Sequence, residues 1–113
     1  MIKVWHRRAP TFDEDKGEAT RAWMAGGYEC VATVTSPPTE WSGHEEEEWA
    51  FFRTNSIDKL WTDNDGVAPV RREIRSTSVG DIVERSDGRL MLCAFAGWTE
   101  FRPQGEGVPG KQA

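Results

Sequence analysis

Several signatures are missing from this 113-residue chain. It contains no G-x-S-x-G, no Walker-type phosphate loop and no G-x-G-x-x-G opening a helix, the motifs of hydrolase, nucleotide and dinucleotide chemistry. Gly105-Glu106-Gly107 follows no strand that could lead into such a helix. Cysteine is scarce. Cys30 and Cys93 lie in apolar, strand-like runs, with no C-x-x-C or H-x₃-H spacing to build a zinc site. They read as small core residues, and a disulfide between them requires their strands to be neighbours. No apolar run reaches the length of a membrane helix. The first residues enter a strand-like alternation directly, without a basic and then apolar leader, which points to a cytoplasmic protein. A basic excess is lacking too: 14 Lys and Arg stand against 19 Asp and Glu, a net charge of −5. That balance speaks against direct nucleic-acid binding. The expectation is a non-enzymatic protein with no metal, no cofactor and no membrane contact.

What is present is a hydrophobic share of 37% and six tryptophans, enough for one folded domain with a real core. The charge is unevenly spread. Residues 41–65 hold seven acids and two bases, a net of −5, while the two flanking stretches cancel.

Ile2-Lys3-Val4-Trp5-His6 alternates as a half-buried strand, with Ile2, Val4 and His6 on one face. Asp13-Glu14-Asp15 can open a short helix that Gly26-Gly27 stops. Tyr28 to Thr35 is a β-branched strand ended by Ser36-Pro37-Pro38. Ser42 and Glu45 have capping-box spacing, which predicts a main helix ending near Asn55–Asp58, with acids in its first turns. Asp63-Asn64-Asp65-Gly66 is a turn; as a calcium loop it fails, since Trp61 and Arg72 stand at its first and twelfth positions. Pro69 limits the stretch from Val67 to an edge or loop. Ser76-Thr77-Ser78 leads into Ile82-Val83-Glu84, Ser86-Asp87-Gly88 is a hairpin turn, and Leu90–Ala96 and Trp98–Phe101 are strands. Strands grouped in this way predict an α+β fold over residues 1–102. Its antiparallel sheet has about five strands, with one main helix packed on one face. Residues 103–113 read as a tail.

The Glu45, Glu46, Glu47 and Glu48 run has no base three or four positions on, so it gains no neutralisation within its helix. It is either a solvated turn paired across the fold with Arg71, Arg72 or Arg75, or a negative patch for a partner. Trp49 and Trp98 are the core candidates among the tryptophans. Trp41 and Trp61 bracket the acidic segment and resemble exposed binding hot spots beside acids. The candidate binding surface is therefore Trp41, Glu45, Glu46, Glu47, Glu48, Trp61, Asp63 and Asp65.

Thr54-Asn55-Ser56-Ile57-Asp58, then Trp61 to Val67, then Arg75-Ser76-Thr77-Ser78-Val79-Gly80-Asp81-Ile82-Val83 resemble a pattern of small uncharacterised actinobacterial and actinophage proteins. From Arg75 to Phe101 the chain also resembles the YodL-like domain, a module of phage polyvalent proteins and mobile elements. Gly80 stands where that family often has Ser, and Leu90-Met91-Leu92-Cys93 replaces its tyrosine-rich strand. The resemblance implies an accessory protein of phage or mobile-element type and assigns no catalytic residue. Physically, Gly80 permits an unusual backbone angle, and Asp81 can accept backbone N–H bonds that lock the turn before the strand.

Three functional readings follow. The first is an accessory protein that binds a host protein through the acidic, tryptophan-flanked surface. The second is an acidic mimic of nucleic acid that inhibits a host defence enzyme. The third is a small-ligand protein or enzyme using His6, His44 or Asp81.

Overall fold

The computed structural model describes residues 1–41, 45–56 and 60–103. Ser42 of the capping box, His44, Asp58 and residues 104–113 of the expected tail lie outside the described residues. Six strands form one antiparallel sheet in the order β3-β2-β1-β4-β5-β6. They are β1 (Ile2–Arg7), β2 (Tyr28–Val34), β3 (Val67–Pro69), β4 (Ile82–Glu84), β5 (Leu90–Ala94) and β6 (Gly97–Phe101). Two helices accompany them, α1 (Lys16–Met24) and α2 (Glu46–Thr54). The α+β class holds, with six strands where about five were expected.

The alternation along β1 sets the layers. Ile2 and Val4 pack with Val31, Val34, Val83, Ala50 of α2 and Trp61. Trp5 points the other way, toward Ala19 of α1, Tyr28, Ile82, Leu92 and Phe101. The two helices thus cover opposite faces of the sheet: the main helix α2 packs on one face, as expected, and the short helix α1 on the other. β3, three residues long, is added at the edge of β2, as Pro69 requires, because proline has no N–H to give a ladder.

Local chemistry explains the ends of the elements. The Asp15 side chain caps α1 by accepting from Gly17 N, and the Gly26 and Gly27 N–H groups close it on Trp23 and Ala22 carbonyls. Gly66 has φ +79°, and a Cβ there would meet Thr35 Oγ1 at 2.7 Å, so the turn into β3 needs a glycine. β2 and β5 are separated in the sheet by β1 and β4, so Cys30 and Cys93 are not neighbours, and both are free thiols.

Candidate functional site

Glu45 is the N-cap residue of α2, but its side chain makes no capping bond. It pairs instead with Arg85 Nη2 at 2.9 Å. Glu46 accepts from both the backbone N–H and the hydroxyl of Ser86, each at 2.7 Å. Glu47 is buried, 3.7 Å from Arg85 Nε, and loss of water pushes its carboxyl pKa up. Three of the four glutamates are therefore drawn to the β4–β5 corner. The acidic run is paired across the fold, but by Arg85 and Ser86 and not by the Arg71–Arg75 cluster. Glu48 remains on the exposed face.

Trp61 is 2% exposed and belongs to the core, which corrects its place in the binding surface. A short 3₁₀ turn over Trp61–Asp63 rolls the indole under the sheet. Its N–H is shared by the carbonyls of Ile74 and Arg75, at 3.0 and 2.9 Å. The polar residues after it are anchors: Thr62 Oγ1 donates to Arg72 O, and Asn64 Nδ2 donates to Arg53 O. Asp63 is exposed, 3.7 Å from Arg72. Asp65 is exposed, and its carbonyl accepts from Arg53 Nη2 at 2.8 Å.

The other expected tryptophan, Trp41, does reach a surface cluster. Its ring stacks on Phe52 at 5.4 Å with 29° between planes, and meets Trp49 edge-on at 4.8 Å. Phe52 is 54% exposed. The Arg53 guanidinium lies 5.5 Å from the Trp49 ring centre and 5.9 Å from that of Phe52. Trp49 is half-buried, packed at the rim of the core with its N–H on Thr35 O. Trp98 is half-buried too, against Phe51. On α2, positions 48, 49 and 52 fall on one face by helical spacing, so Glu48 flanks Trp49 and Phe52. Phe52 and Arg53 were not singled out for binding from the sequence. Their helical spacing with Trp49 was the available signal.

Of the third group of candidates, His6 and Asp81 are brought together in the interior. Asp81 is 1% exposed and carries a full set of donors. Arg75 grips it with two bonds of 2.7 Å, and the Arg7 and Ser78 N–H groups add bonds of 2.9 and 2.8 Å. The Arg75–Asp81 stretch that carries the resemblance therefore closes on itself, with Gly80 at φ +94°. His6 Nε2 is 3.9 Å from Asp81 Oδ2 and 2.9 Å from Thr77 Oγ1. Burial lowers the His6 pKa to about 4, against an opposing pull from Asp81. Arg71 is bonded to Glu29 and Arg75 to Asp81, while Arg72 stays exposed beside Asp63. Among the described residues, no group of three or more His, Cys, Asp or Glu is placed to hold a metal ion. No helix among them is long and apolar enough to cross a membrane.

No family model, curated protein or solved structure matches the chain.

Proposed function

We propose that this is a small, non-enzymatic binding protein that engages a basic segment of a protein partner on the outer face of α2. The stack of Trp41 on Phe52, left open to solvent, carries this reading. Aromatic rings with a polar surround form the usual anchor of a protein interface. The exposed acids Glu40 and Glu48 nearby favour lysine or arginine on the partner. Arg53 over the rings of Trp49 and Phe52 is an internal example of the cation contact a partner would add. Of the expected surface the reading keeps Trp41 and Glu48, and it adds Trp49, read from the sequence as core, and Phe52; the accessory role that the resemblance implies is kept. A nucleic-acid mimic needs carboxylates spread like phosphates, and Glu45, Glu46 and Glu47 converge on one corner instead.

The test is a photo-crosslinking residue at position 52 of the full chain in its host, with one at Phe95 as control, since Phe95 is 72% exposed on the turn between β5 and β6 and its N–H is bonded to Glu14, outside α2. The protein crosslinked at 52 is then purified. Its affinity should fall at least about tenfold for Phe52→Ser and Trp41→Ser, with melting temperature retained, and should weaken with salt. Equal binding by folded variants, or equal crosslinking at both positions, refutes the reading.

A further inference from the structure

A groove of about 490 Å³ lies on the α1 face of the sheet. Its floor follows one row of the ladder. Glu84 of β4 stands opposite Leu90 of β5, and Leu90 stands opposite Phe101 of β6. Opposite residues share a face, so strand spacing sets the Glu84 carboxylate about 5 Å from one apolar position and about 10 Å from the next. Trp23 of α1 forms a wall. Three rings hold it in place: Trp5 at 5.0 Å, Tyr28 at 5.6 Å and Phe101 at 6.2 Å.

The rim cations of the groove already face carboxylates. Arg89 lies 3.3 Å from Asp87 and 3.9 Å from Glu100, and Arg102 lies 3.3 Å from Glu100. Glu84 differs. It is half-buried, and its Oε1 accepts from Trp5 Nε1 at 3.1 Å, which orients the carboxylate. Among the described residues no cation forms an ion pair with it, and Lys3, opposite it on β1, is exposed. An anion entering the groove would compete with Asp87 and Glu100 for the arginines. A cation finds Glu84 open, in the field of a chain whose net charge is −5.

We propose that this groove binds a small arylalkylamine, its ammonium group on Glu84 and its aromatic body over Leu90, against Trp23. The row dictates that shape, with charge at one end and apolar contact starting about one strand spacing, roughly 5 Å, away. Water solvates Glu84 in the free protein. The ligand adds burial of its ring against Leu90 and Trp23, and the water it expels strengthens the ion pair. The apolar wall supplies affinity and Glu84 selects the sign of the charge. The volume falls within the range of small-molecule pockets. The site lies on the other face of the sheet from the Trp41–Phe52 stack, so it is independent of that surface.

The experiment titrates the isotope-labelled full chain with phenethylamine and with tryptamine up to about 10 mM, a range that reaches weak sites. Saturable binding is expected for at least one, with shifts of the Trp5 and Trp23 indole N–H signals. Phenylpropionate has the ring but the opposite charge, and ethylamine has the charge but no ring. Each should bind at least about tenfold more weakly. Glu84→Gln keeps an acceptor for Trp5 and removes the charge, and should weaken amine binding by a similar factor. Glu73→Gln, outside the groove, should not. The ligand comparison uses the unmodified chain, so it decides the matter even where a variant loses its fold. The proposal is overturned if neither amine saturates, if phenylpropionate or ethylamine binds equally well, if the shifts fall on Trp49 instead, or if folded Glu84→Gln keeps full affinity.

Discussion

Acidification should unfold this protein through one residue, His6, before its surface carboxylates matter. The His6 pKa is about 4 in the folded chain, against 6.5 for an ordinary histidine. Between these values the unfolded chain binds a proton that the folded chain refuses. Stability from this source is therefore complete above about pH 6.5, falls as pH drops, and stops falling below about pH 4. A gap of this size corresponds to about 3 kcal/mol, most of it lost by about pH 4.5, or on the order of 10 °C in melting temperature. Glu47 works in the opposite sense. Its pKa is raised by burial, so the folded chain holds that proton more tightly and gains stability as pH falls. Glu18 and Glu29, whose pKa values are lowered from 4.5 by Arg7 and Arg71, lose their contribution as pH falls below about 4.5, at the acid end of the window where His6 acts. Urea midpoints should be measured from about pH 7.5 to 4.5 on the Glu47→Gln variant, with and without His6→Gln. The slope should be present with His6 and absent without it. Histidine ring NMR on the unmodified chain gives the pKa directly, whatever the variants do. A ring titrating near pH 6.5, or a flat stability profile with His6 present, would refute the reasoning.

Two further outcomes follow from the Arg75–Asp81 turn. Asp81→Asn keeps the shape but removes the charge that Arg75 grips, and should cost about 3 kcal/mol in denaturant unfolding; a loss under about 1 kcal/mol would mean that the pair does not hold the turn. Gly80 and Gly88 share a φ of +94°, but a Cβ at Gly80 would meet Asp13 O at 3.1 Å, and one at Gly88 would meet nothing. Gly80→Ala should therefore be the more destabilising, by up to about 3 kcal/mol, and equal costs in thermal unfolding would contradict the packing described here.

Local pattern made much of the fold legible. The two-residue period of β1 named the inward face correctly, including His6. Pro69 placed β3 at an edge, and the turn chemistry of Asp81 was readable because a carboxylate before a strand has backbone N–H groups within reach. The site was harder to read because its partners are remote in sequence. Nothing near Glu45 announces Arg85, which lies on another hairpin. Trp61 sits in a polar stretch that looks like a loop. Its burial depends on carbonyls at Ile74 and Arg75 that accept the indole proton, a tertiary fact with no local trace. His6 and Asp81 were singled out separately, and only the pairing of β1 with β4 brings them together.

That pairing governs the order in which the molecule can be made. β1 is the third of six strands across the sheet, and its partner β4 is remote: Trp5 and Glu84 are 79 positions apart. During synthesis β1 can meet β2 early, but its other edge stays open until most of the chain has been added. Closing so long a loop carries an entropy cost before the contact repays it, which makes this the slow step of sheet assembly. Until β4 arrives, His6 has neither Thr77 nor Asp81, and the buried polar network around it does not exist. The interior is thus completed late and all together, by a strand of three residues.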